Sequence, residues 1–388
     1  MSVNFSPESV LVTGARAPAA LSAARLFHSA GVRVVAADCC AEPLTRTDRR
    51  VYRTLRHPAP KVDPVKFRDW LIDIVDRHKI DMIFPTCEEI FHMDRALADH
   101  PYRALLYAPN SRLLFSAHSK AEFPKMLDAS GLVSPKTSVI ESCVDLPGDE
   151  SLANSVLKPE YSRFATRTLI SPRREQAEVA MRMQSGRWVI QERVASPEIC
   201  GYAFAVSGHM MACWSYKPKY RAGKGASILF KPEIYEQVEI YMRRFIEQTG
   251  WTGQIGMDFI KDADRGLVAI EANPRSTSGI HAFGNGGDLL TAIRVKCRDL
   301  IKPDVTPRAI RPAFFLLGLR QAFSEGSLLE WISELRATKD AVFVEGFDSA
   351  NWQLIKCSAY FCLQAWKERC TVLEATTSDI AWDDCVQG

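Results

Sequence analysis

The run "VAIEANPRS" constrains this chain more than any other segment. Glu271, Asn273 and Arg275 occupy alternate positions after the apolar "LVAI". A strand turns every second side chain to the same side, so these three polar groups share one face. Such a row makes a poor core face. It suits a surface for cations and anions, with carboxylate and amide oxygens for a divalent metal and a guanidinium for an anionic group. Upstream, Asp258 sits in the apolar "IGMDFI", and the turn-rich "KDADRG" joins the two segments. A hairpin there brings Asp258 beside Glu271, and two buried carboxylates so placed need a cation between them. The competing reading is a surface hairpin with incidental charges.

The sequence before this hairpin changes character once. "SVLVTG", "VRVVAAD" and "IDMIFPT" read as short buried strands, with the helical patterns "APAALSAARLFHSAG" and "DPVKFRDWLIDIVDRHK" between them. Strands alternating with helices predict a parallel sheet, so residues 1–115 read as a Rossmann-like domain. "TGARAP" after the first strand lacks the GxGxxG spacing of a dinucleotide site, which argues against a nicotinamide cofactor. From 116 to 302 the pattern is α+β. "SKAEFPKMLDASG" and "KPEIYEQVEIYMRRFIEQTG" read as helices, and "SVLKP", "WVIQERV", "YAFAVSG" and "HMMACWSY" as strands framing a cleft. Residues 303–388 read as a small α/β extension of unknown role, with "SLLEWISELRA" a helix and "AVFVEGF" and "WQLIKCSAYF" strands.

Composition narrows the function classes. A chain of 388 residues exceeds one comfortable core, so two or three domains are expected. The formal charge of +3 gives no basis for a nucleic-acid partner. The longest apolar runs, such as "AFFLLGL", are too short to span a bilayer. Eleven cysteines without a CxxC pair suit neither a disulfide framework nor a zinc site. With no secretory pattern at the N-terminus, the expectation is a soluble, cytoplasmic protein with reduced thiols.

The hairpin resembles the metal-binding hairpin of the ATP-grasp enzymes, which include biotin carboxylase, the carbamoyl-phosphate synthase large subunit and many carboxylate–amine ligases. The resemblance runs from about residue 10 to 300 in the family's own order: Rossmann-like domain, lid subdomain (about 120–190), metal-binding subdomain (about 191–302). It implies ATP and Mg²⁺, with Mn²⁺ as a substitute, and makes Asp258, Glu271 and Asn273 the metal ligands. Lys158, ending the strand "SVLK", and Lys120, opening the lid, are then the phosphate-binding lysines. "WVIQERVASPE" resembles the adenine hinge, which carries the nucleotide roles to Gln191, Glu192, the main chain of Val194, and Glu198.

The chain departs from the family at the flap. After Lys158, "EYSRFATRT" contains no glycine, so Ser162 and Arg163, with Thr166 and Arg167, have to supply phosphate contacts. The alternative cover is the basic "YKPKYRAGKGAS", read as a loop, with Lys217 and Lys224 as catalytic cations beside Arg275. Substrate contacts fall to Ser276 and Ser278 after the metal strand, to Arg16 for a carboxylate, and to Glu88 and Glu89 for an amine. His281 reads equally as substrate-facing or structural, and Cys87 lacks the partners of a thiol nucleophile.

Together these imply a ligase that activates a small-molecule carboxylate as an acyl phosphate and joins it to an amine. A homodimer is left open. The alternatives are an ATP-dependent carboxylase using bicarbonate and a nucleotide-binding protein without turnover.

Overall fold

Short apolar runs build the first sheet. The computed structural model describes residues 7–163, 167–184, 186–194, 197–223, 225–284, 290, 300–343 and 349–383. Strands β1 (Ser9–Thr13), β2 (Arg33–Asp38), β3 (Arg53–Arg56) and β4 (Met82–Phe84) pair in parallel in the order β3-β2-β1-β4. The chain leaves β1 toward β2 and β3, then returns to β4 on the other side of β1. Ligand crevices of open α/β sheets lie at such a switch, beyond the strands' carboxyl ends. Gly14 ends β1 at φ +68°, and a Cβ there would meet the Thr86 hydroxyl at 2.6 Å, so the loops after β1 and β4 touch. The helix Pro18–Ser29 starts on a proline, where no backbone N–H is missed, and Asp63 caps the helix Pro64–His78 by accepting from the Lys66 N–H.

A second, smaller sheet holds β5 (Thr137–Ile140), β6 (Ser155–Pro159), β7 (Leu169–Ile170) and β8 (Trp188–Glu192) in the antiparallel order β5-β8-β6-β7. Ile140, Leu152, Leu157, Ala177 and Trp188 form its own core. The third sheet contains β9 (Glu198–Val206), β10 (His209–Ala222), β11 (Ala226–Pro232), β12 (Gly253–Asp262), β13 (Gly266–Asn273), β14 (Arg308–Ala309) and β15 (Lys339–Asp340). Its order is β13-β12-β9-β10-β11-β14-β15. One face is covered by the helix Glu236–Thr249 through Val238, Met242, Phe245 and Ile246. The other face joins the first sheet: Tyr202, Phe204 and Phe230 share a core with Val10, Phe27 and Phe84, and the Tyr107 hydroxyl donates to Ala205 O at 3.0 Å.

The C-terminal region differs from its sequence expectation. "WQLIKCSAYF" is not a strand; it lies inside the helix Ser349–Glu368. Apolar residues on both sides of that helix hide the 3.6-residue period. "AVFVEGF" shows no strand over Ala341–Phe343, and its remainder lies outside the described residues. The helix Leu328–Ala337 forms as expected. Residues after 303 divide their packing: Phe314 and Trp331 cover Tyr220 and Ile228, while Cys357 and Phe361 return to Cys40 beside the first sheet. No helix among the described residues is long and apolar enough to cross a membrane.

Candidate active site

The β12–β13 hairpin puts the expected cluster together. Asp258 is the register partner of Glu271, and Gly256 of Asn273. A bulge directly after Asp258 re-aims that end of β12. The Asn273 side-chain N–H donates to Asp258 at 3.4 Å, and its carbonyl accepts from Arg275 at 3.1 Å. Across the cleft Lys120 Nζ stands 3.9 Å from Glu271, and buried Lys158 donates to Ile270 O at 3.4 Å.

The charges press on one another. Burial, together with Glu198 and Glu271, raises the Asp258 carboxyl well above its ordinary value. Burial opposes ionisation of Glu271 too, but Lys120 and Lys158 reverse that and lower it. Burial pulls the Lys158 ammonium down to about 8, although Glu271 and Asp258 favour its charge. Carboxylates crowded in this way form an oxygen donor set that a hard dication relieves, so the residues present fit a magnesium-type ion.

Sequence reasoning placed Glu198 with the ribose. In the fold Glu198, Cys200 and Asp258 offer donor atoms all within 4.8 Å of one another. The alternation of Glu198 and Cys200 on β9, antiparallel to β12, was the available signal. Burial first, then Asp258 and Glu198, raise the Cys200 thiol, which stays protonated and is a poor ligand for a hard ion. Glu198 also pairs with Arg221 at 2.7 Å.

The residues expected to form a flap and an adenine hinge are placed as follows. Ser162 O accepts from Lys120 Nζ at 3.1 Å, and Arg163 pairs with Glu88. Gln191 is buried and donates to Thr137 Oγ1 at 3.0 Å. Glu192 accepts from Arg265 at 2.9 and 3.0 Å, and Val194 follows the end of β8, half-buried. The basic segment expected to be a loop is instead the β10–β11 hairpin. Lys217 pairs with Glu233 at 3.3 Å, Lys219 bonds Glu330 and Glu334, and Lys224 lies outside the described residues.

The switch-point crevice is filled by the protein's own groups. Glu88, 1 % exposed, faces Arg163, Arg275 at 3.9 Å and His118 at 3.8 Å, and accepts the Trp382 N–H at 3.0 Å. Burial alone would raise its carboxyl; Arg163, His118 and Arg275 outweigh that and hold it at about 2. Glu89 accepts from the Thr13 hydroxyl at 2.7 Å and from the Thr86 and Cys87 N–H groups. Arg16 is buried between Asp38 and Asp379, and also donates to Thr376 O. Ser276 donates to Gln254, which the Tyr202 hydroxyl also reaches at 2.6 Å. Ser278 opens the turn Ser278–Ala282, and His281 Nδ1 is 2.8 Å from Ser22 Oγ. Burial raises the Cys87 thiol to about 12, which leaves it a poor nucleophile.

Solved structures of the same architecture match most of the chain. A biotin carboxylase–βγ-ATP complex from Campylobacter jejuni aligns over 77 % of this chain and 73 % of its own, with TM-score 0.59 and 14 % identity. N5-carboxyaminoimidazole synthetase from Staphylococcus aureus, complexed with ADP, aligns over 84 % and 87 %, with TM-score 0.60 and 10 % identity. The chain has the ATP-grasp fold. L-amino acid ligase from Bacillus licheniformis shares the fold over 70 % of this chain and 68 % of its own, with TM-score 0.54 and 15 % identity. No family profile and no curated protein matches the sequence.

Proposed function

We propose that this protein is an ATP- and Mg²⁺-dependent ligase that activates a carboxylate as an acyl phosphate and joins it to an amine. The observation that carries this is the facing of Asp258, Glu271 and Asn273 on one hairpin toward Lys120 and Lys158 across the cleft. Asp258, Glu271 and Asn273 would hold the metal, and Mn²⁺ would substitute. The metal supplies positive charge against the charge that develops on a transferred phosphoryl group. Neighbours of the same fold complexed with βγ-ATP and with ADP support a nucleotide here.

Each residue then has one task. Lys120 and Lys158 bind phosphate oxygens as point charges, helped by Ser162 and Arg163 from the flap. Gln191, Glu192 and the Val194 main chain border the adenine, and Glu198 lies beside Asp258. Arg275 holds the acceptor carboxylate, and Lys217 and Lys224 serve as the catalytic cations beside it. The carboxylate oxygen bonds to the γ-phosphorus as the bond to ADP breaks. The amine nitrogen then bonds to the acyl carbon, and phosphate leaves. Glu88, Arg16 and Arg163 reach a ligand only by exchanging their present partners, which makes Arg275 the better-placed site for the substrate carboxylate. The test is a screen of amino acids and amines scored by ADP release and product mass. ADP release that needs both a carboxylate and an amine supports the reading; release with bicarbonate alone redirects it to a carboxylase.

A further inference from the structure

Among the described residues, one face of the helix Ser349–Glu368 is packed and the opposite face is left exposed. Gln353, Cys357, Phe361 and Ala365, spaced four apart, are buried. Gln353 donates to Glu42 and to Pro43 O, Cys357 and Phe361 pack on Cys40, and the Arg16 guanidinium lies 5.3 Å from the Phe361 ring centre. The opposite face carries Trp352, Ile355, Leu363 and Trp366, which are 60, 58, 59 and 79 % exposed. Ala359, also exposed, lies between them. At 3.6 residues per turn these five positions fall within an arc of about 80°. Single exposed apolar residues are ordinary, but a stripe with two tryptophans is not. It offers about 600 Å² of apolar side chain, most of the ~800 Å² that a standard interface takes from each partner.

The order of the stripe says what covers it. Read from either end it runs tryptophan, branched aliphatic, alanine, branched aliphatic, tryptophan, with successive spacings of three, four, four and three residues. A two-fold axis through Ala359 therefore sets Trp352 against Trp366 of the second copy and Ile355 against Leu363. The small Ala359 side chain falls at the point of closest approach, as a helix crossing requires. Lys356, whose ammonium lies 5.9 Å from the Trp352 ring centre, and Lys367 border one edge of the stripe and leave its apolar centre uncharged.

We propose that this face is a homodimer interface in which two copies of the helix cross antiparallel at Ala359. The interface stands apart from the nucleotide cleft, and the proposal does not depend on the ligase reading. Sedimentation of the full chain at tens of micromolar should show a dimer. Trp366→Lys, at a position already exposed in the single chain, should leave circular dichroism unchanged and weaken association about 100-fold or more, as loss of a buried interface tryptophan does. In a Cys362→Ser background, Ala359→Cys should cross-link to a dimer under copper–phenanthroline oxidation, two thiols losing electrons to Cu²⁺ and forming one S–S bond across the axis. Adding Trp352→Lys should abolish that product. A parent that sediments as a monomer overturns the proposal, as does a dimer indifferent to Trp366→Lys. Flotation of a monomeric parent with phosphatidylcholine–phosphatidylserine vesicles, lost in Trp366→Lys, would overturn it in favour of a lipid surface.

Discussion

Asp258 and Glu271 are cross-strand partners whose proton affinities are driven in opposite directions. Burial beside Glu198 and Glu271 raises Asp258, whereas Lys120 and Lys158 outweigh burial at Glu271 and lower it. In the proposed metal role, Glu271 would hold its charge before a cation arrives and Asp258 would gain charge on binding it.

Replacing Glu271 by Gln removes that standing charge while keeping the side chain's size. ATP turnover should fall on the order of 10²-fold or more, with an unchanged circular dichroism spectrum showing that the fold is kept. Steady-state ADP release checks this, and a variant as active as the parent means that Glu271 is not a metal ligand. Asn273→Ala and Asp258→Asn should follow it.

Lys158 is the buried cation of the opposite wall, so Lys158→Ala should weaken binding of an ATP analogue about 10-fold or more. Cys87→Ala should change neither binding nor turnover, because burial keeps that thiol protonated. Calorimetric titration separates the two variants. A severe loss with Cys87→Ala, without unfolding, would restore a thiol mechanism.

Much of this site was legible because it is local. The alternation at 271, 273 and 275 on one strand and Asp258 on the next requires only a hairpin. Lys158 at a strand end was readable for the same reason. The contacts of Arg16 with Asp379 and of Glu88 with Trp382 span about three hundred residues or more, and no spacing rule reaches that far. The basic segment around Lys217 reads as a loop because its lysines and glycines are poor strand formers; pairing with β11 overrides that preference. The helix Ser349–Glu368 was misread because two apolar faces erase the period that distinguishes helix from strand.

Glu88 links Arg163, Arg275 and the C-terminal Trp382, and its acidity predicts a pH dependence. Its carboxyl is lowered from 4.5 to about 2, so it favours the folded state when charged. That stabilisation is fully present above about pH 4.5 and is lost as pH falls toward 2, a contribution of about 3 kcal/mol. Glu88→Gln should be less stable than the parent at pH 6, with the gap closing between pH 4.5 and 2. Urea unfolding across that range tests it. A constant gap means that Glu88 stabilises the fold by something other than its charge.

The glycine-free flap predicts a division between ATP and ADP. Ser162→Ala combined with Arg163→Ala should raise the Michaelis constant for ATP and lower turnover, with a smaller effect on ADP affinity, because paired guanidinium donors suit the terminal phosphate. If that variant matches the parent while Lys224→Ala is crippled, the cover over the triphosphate is the β10–β11 hairpin.

Acyl-phosphate formation leaves a mark that no side reaction of ATP reproduces: one carboxylate oxygen ends on phosphate. The decisive measurement is mass analysis of the phosphate released when the protein turns over ATP with Mg²⁺, an amine and an ¹⁸O-labelled carboxylate found by screening. One labelled oxygen in the phosphate, formed together with ADP and an amide, is the expected result. Unlabelled phosphate, or AMP and pyrophosphate in place of ADP, would contradict a ligase that works through an acyl phosphate.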